Sequence, residues 1–204
     1  MEGSEPNNRE MSAMLRKLLP KTTPLLFATV FMLVCGLFST DQSQAATAKE
    51  IDVSVGVALE RFFAEVKGAK EFAQTAKGLL ILPGVVKAGL IVGGEYGEGA
   101  LQVEGRTVDY YNIIAGSYGL QIGAQEKDII VAFMTDEALN SFRAGQGWEV
   151  GVDGNVALLD VGAGERIDTT TLKDPIVGFV FGVKGLMIDV SLKGSKFTKL
   201  DKSK

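Results

Sequence analysis

Glycines set inside strand-like stretches constrain this chain most. The segment "VGGEYGEGALQVEG", Val92 to Gly105, holds five glycines in fourteen residues. A glycine within a strand weakens it unless the fold needs a missing side chain, for a sharp bend, a barrel corner or a close backbone approach. The pattern predicts a strongly curved antiparallel sheet or a barrel.

The strand-like period begins at Leu79. "LLILP" is an apolar run that Pro83 should stop. "VKAGLIVGGEYG" and "GALQVEG" read as strands joined through Gly97-Glu98-Gly99, and "RTVDYYNIIAG" follows a turn at Glu104-Gly105. "SYGLQIGAQ" alternates large and small residues, and "KDIIVAFMT" is apolar enough to be buried on both faces. Asp153-Gly154 reads as a hairpin turn within "WEVGVDGNVALLDVG". A polar loop, "AGERIDTTTLKDP", leads to two last strands meeting around Lys184-Gly185.

Helical spacing is confined to three places. Val55, Leu59, Phe62 and Val66 form one apolar stripe in a helix ending near Gly68, and "AKEFAQTAKG" makes a second, shorter helix. "TDEALNSFRAG" inserts a third between strands, with Thr135 as N-cap and Asp136 and Glu137 in the first turn. The expected class is therefore α+β, mainly antiparallel: a curved or barrel-like sheet of about eight to ten short strands, with N-terminal helices and one inserted helix.

The first 48 residues follow different rules. Arg9, Arg16, Lys17 and Lys21 precede the apolar run Leu25 to Phe38, and a polar stretch with Ala46 and Ala48 follows. Basic flank, short apolar run and A-x-A in that order make a secretory signal peptide, cut after Ala48 or Ala45. The expected localisation is export, to the periplasm or cell envelope or into the medium. An uncleaved anchor would want about 20 apolar residues. Lipidation at Cys35 would want a small residue where Val34 stands.

Composition narrows the chemistry. The chain has no histidine, and its one cysteine, Cys35, leaves with the signal. Ser-His, Cys-His and zinc mechanisms are thereby excluded, and no metal or cofactor is expected. The signal carries equal numbers of basic and acidic residues, so the net charge of −4 is unchanged and argues against nucleic acid as a partner. Phosphate loops need glycines in a set register between strand and helix, and Gly94, Gly97 and Gly99 have the wrong order. Glu95 and Glu98, placed at an apparent hairpin end, should be solvated and so are poor acid-base candidates. Asp153-Gly154-Asn155 is too short for a calcium loop. No catalytic residue is expected.

Four stretches in combination carry a family resemblance: "AKGLLILPG" around Lys77, "GGEYGEG", "GLQIGAQ" from Gly119 to Gln125, and the closing "FGVKGLMIDVSLKGSKFTKL". Residues 49–204 closely resemble the SYLF domain, a lipid-binding module also described as an actin-regulator domain. The resemblance implies a non-enzymatic domain whose partner is an anionic lipid or membrane surface, phosphoinositides included, and whose eukaryotic relatives act at actin-rich membranes. Basic residues and the N-terminal amphipathic segment would contribute. By position these are Lys67, Lys70, Lys77 and Lys87, with Phe62 and Phe63 read first as packing under the helix and otherwise as candidates for shallow insertion. The tail "KGSKFTKLDKSK" adds Lys193, Lys196 and Lys199, read either as a frayed solvated end or as an attachment point for anionic lipid. Two alternatives remain open: a barrel carrying a small apolar ligand against Tyr118, Phe179 and Phe181, and a structural envelope protein acting through protein contacts.

Overall fold

The structure is a computed structural model describing residues 46–89, 92–118, 123–160, 173–185 and 191–202. Residues 1–45, with Cys35 and most of the expected signal peptide, most of the polar stretch expected as a loop (161–172) and the stretch after Gly185 lie outside them. Residues 46–204 cluster as a compact unit of their own.

Helix α1 (Ala48–Glu65) starts at a capping box. The backbone N–H of Glu50 donates to the Thr47 hydroxyl, while the N–H and hydroxyl of Thr47 donate to the Glu50 carboxylate at 2.7 and 2.8 Å. Two otherwise orphaned helix-end donors are satisfied this way. Helix α2 (Ala69–Thr75) follows through Gly68, whose φ of 83° permits the sharp exit. Helix α3 (Asp136–Ala144) is the inserted one, capped by Thr135 as its sequence predicts.

Among the described residues eight strands form one sheet: β1 (Gly78–Gly89), β2 (Val92–Val103), β3 (Arg106–Tyr118), β4 (Gly123–Phe133), β5 (Gly147–Glu149), β6 (Ala157–Asp160), β7 (Ile176–Gly185) and β8 (Lys196–Leu200). Their order is β5-β8-β3-β2-β1-β4-β7-β6, antiparallel except for the β6–β7 pair. The sheet curls into a half-barrel, as the glycine pattern leads one to expect.

Pro83 does not end the first strand. β1 continues through a bulge between Leu82 and Val85, where a proline can sit without breaking a ladder bond. Gly84 takes a φ of 58° there, and its N–H donates to Asp128 at 2.8 Å. The glycines of the opening stretch answer this bulge. A Cβ on Gly99 would stand 1.9 Å from the Ile81 carbonyl oxygen, and one on Gly97 2.7 Å from Val85. Gly97-Glu98-Gly99 is therefore the middle of the continuous strand β2, not a turn. The turn at Glu104-Gly105 forms as expected, with φ of 52° and 72°.

Two cores sit on the two sheet faces. On the outer face, Ile51, Val55, Ala58 and Phe62 of α1 and Phe72 of α2 cover Ile81, Ala100, Ile130, Phe179 and Phe181. On the inner face, both ends of the sheet feed one cluster: Trp148 and Phe197 from one end, Ile176 and Val180 from the other. Helix α3 plugs it. Phe142 lies 4.7–6.0 Å, ring centre to centre, from Phe133, Tyr111, Trp148 and Phe197. Strand β4 is buried on both faces, because Ile129, Val131 and Phe133 point to the inner core and Ile130 and Ala132 to the helices.

Three further expectations change. Asp153-Gly154 makes no hairpin: Asp153 accepts from the Glu149 N–H at 2.7 Å, Val150 and Gly154 form an isolated parallel bridge, and β6 pairs with β7. The C-terminal lysine stretch is not frayed, since Lys196–Leu200 is strand β8, held between β3 and β5. Phe179 and Phe181 do not line an interior: they lie beneath α1, 5.1 and 5.2 Å from the Phe62 ring. The side chain of Tyr118 is outside the described set.

Candidate functional site

Burial divides the candidate residues. Phe62 is fully buried among Phe179, Phe181 and Phe63, so it is a core anchor and unavailable for insertion. Lys87 is 6% exposed, on the inner sheet face beside Glu95 and Gln125 in register, and so leaves the set of surface lysines. Lys199 is committed to Asp109 at 2.6 Å, an acid that also accepts from Arg143 at 3.1 Å. Lys193 and Lys196 stay exposed, as do Lys67, Lys70 and Lys77.

Glu95 and Glu98 are not solvated either. Glu95 meets Lys127 at 3.1 Å with both side chains enclosed, at 2% and 0% exposure. Glu98 accepts from the Tyr96 hydroxyl at 2.6 Å and from Lys202 at 3.0 Å. Burial, with the adjacent Glu98 carboxylate, pushes the Tyr96 phenol up to about 12. Lys202 also donates to the Ala46 carbonyl at 2.7 Å, tying the C-terminal stretch to the start of α1. Sequence spacing gave no sign of these partners, which lie as far as 156 positions apart.

Two of the exposed lysines flank a groove. It encloses about 670 Å³ between the end of α1, helix α2, the β2–β3 turn and the start of α3. Its apolar lining includes Leu59, Phe63, Ala73, Leu79, Val103 and Leu139; Lys70, Gln74 and Lys77 supply donors. The size falls in the range of about 300–1,000 Å³ usual for small-molecule sites, and the mixture of apolar walls with a few polar groups is the usual chemistry. Charge within it is mostly balanced: Asp136 lies 3.8 Å from Lys77, and Glu104 3.4 Å from Arg106. Among the described residues no ion pair engages Lys70.

Leu59, Val103 and Leu139 escape a sequence reading of the site because each looks like ordinary core on its own element. The third dimension alone brings them together. A second cleft, about 420 Å³ beside β3 and β8, is lined by Asp109, Tyr110, Lys199 and Lys202, whose charged groups already engage one another or Asp52, Arg143 and Glu98. Among the described residues no group of acids, cysteines or histidines is arranged to hold a metal ion.

The described residues thus form a curled sheet with helices over its outer face, an aromatic plug in its hollow and an open apolar groove at one end. Residues 114–203 match the family model described as Ysc84: Las17-binding protein actin regulator, so over that stretch the chain is similar to the SYLF domain that its motifs resemble. The match takes in the end of β3 and everything from β4 to β8; α1, α2, β1 and β2 precede it. Among curated proteins none matches the chain.

Proposed function

We propose that the domain binds lipid, meeting an anionic membrane surface with the flank that carries α2. The groove carries this reading: an apolar trough with half-buried Phe63 in its wall and exposed Lys70 and Lys77 beside it, in a chain similar to a lipid- or actin-related binding family. Lysines near a charged membrane contribute about 1 kcal/mol each, and the attraction is screened by salt. Lys67, in the α1–α2 connection, extends the basic edge, while Lys193 and Lys196 offer a separate one.

Co-sedimentation of residues 46–204 with anionic and neutral vesicles tests this. Retention on anionic vesicles at low salt, lost at high salt, is the expected result; equal absence from every pellet sinks the reading. Charge reversal at Lys70 and Lys77 should weaken sedimentation, and reversal at Lys193 and Lys196 tests the other edge.

The same proposal places the domain outside the cytoplasm, exported by its N-terminal segment. Cleavage after Ala45 keeps the Thr47 cap of α1, whereas cleavage after Ala48 removes it. Intact-mass measurement of the secreted or envelope-bound protein should give a chain beginning at Ala46. An unprocessed chain in the cytosolic fraction would overturn export.

A further inference from the structure

We infer that the groove beside α2 takes up a single long-chain fatty acid, hydrocarbon along its floor and carboxylate at Lys70. This deepens the lipid reading and rests on it, but it asks for more: removal of one amphiphile from bulk lipid instead of adhesion to a surface. Three observations converge. The trough is about 670 Å³, bounded by α1, α2, the β2–β3 turn and α3, so it suits one slender apolar chain. Its walls are side chains that an alkyl chain can contact without leaving a buried polar group unpaired, among them Leu59, Phe63, Leu79 and Leu139.

Charge selects the head. Asp136 faces Lys77 and Glu104 faces Arg106, which leaves Lys70 as the groove cation with no ion pair among the described residues. Gln74 stands four positions further along, one turn of α2 away and on the same face, so its amide and the Lys70 ammonium can both donate to one carboxylate. A dianionic phosphate would bring its second charge toward Glu104 and Asp136. The singly charged carboxylate is the better complement.

The test uses residues 46–204, cis-parinaric acid as the fluorescent probe, and palmitate and methyl palmitate as competitors, with vesicle sedimentation run in parallel. Saturable binding of one probe per chain is expected, displaced by palmitate well before methyl palmitate. Ala73→Trp, which fills the trough, should weaken the probe by at least about tenfold. Lys70→Glu, at an exposed position with no fold to lose, should weaken it about fivefold and erase the preference for palmitate over its ester. Circular dichroism confirms that each variant is folded.

Vesicle binding without saturable probe uptake overturns the fatty-acid assignment and leaves the surface reading intact. Equal displacement by the ester overturns the role of Lys70. Probe uptake with no vesicle binding supports the groove and overturns the surface reading, and absence of both overturns the two together.

Discussion

Lys127 is among the largest side chains wholly enclosed by this fold, and Glu95 is the acid that makes its charge tolerable there. Removing one partner of a buried ion pair strands the other, at a cost of about 3–5 kcal/mol, whereas replacing both with apolar groups of similar size is often neutral. Glu95→Leu should therefore destabilise the domain by at least that amount in urea unfolding, and because buried Lys87 also faces Glu95 in register, adding Lys127→Met should recover only part of the loss. Tyr111 poses the opposite case. Among the described residues its buried hydroxyl has no hydrogen-bond partner, so Tyr111→Phe should hold or raise stability, by up to about 1 kcal/mol. Burial, helped by Asp109, pushes its phenol up to about 12. The folded-state value lies above the unfolded one, near 10, so the stabilisation is complete below pH 10 and is lost as pH rises toward 12. Tyr111→Phe should flatten that alkaline decline.

Among the elements, β1 and β2 are fitted to each other by a bulge and the glycines that receive it. Gly99→Ala drives a Cβ against the Ile81 backbone, which no rotamer change relieves, and should cost on the order of 3 kcal/mol or prevent folding. Gly94→Ala, five positions earlier in the same strand, meets only the Ala115 carbonyl oxygen at 4.0 Å and should be tolerated. Thermal melts of the two variants separate a specific backbone approach from a general need for glycine in β2. Helix α1 makes a similar point through its cap. Thr47→Ala, or a chain starting at Lys49, loses the capping box and about 1 kcal/mol. The helix carries Leu59 and Phe63 into the groove, so its anchoring reaches the site.

At the scale of the whole molecule, β8 holds one end of the half-barrel together. β8 lies between β3 and β5 and places Phe197 against Phe142 and Trp148. Truncation after Leu192 should therefore lower the melting temperature and loosen the inner core, visible as loss of the near-ultraviolet signal of Trp148. It would not report on lysine attachment alone, for which the charge reversals at Lys193 and Lys196 are the cleaner probe.

Local chemistry was legible in the chain itself. The Thr135 cap, the turn at Glu104-Gly105, the doubly buried β4 and the curvature implied by strand glycines follow from propensity and period, which act over a few residues. So does the family resemblance, carried by short motifs. What only the tertiary structure decided is which side chains meet. Lys127 finds Glu95 and Lys202 finds Glu98 across strands distant in sequence, turning two apparently solvated acids into enclosed or shielded ones. Lys87 looks like a surface contact on its own element and becomes core because other elements cover it, whereas the burial of Phe62 follows from its place in the apolar stripe of α1. The groove has the same origin: Leu59, Val103 and Leu139 each follow a local pattern, and a space between elements belongs to none of those patterns.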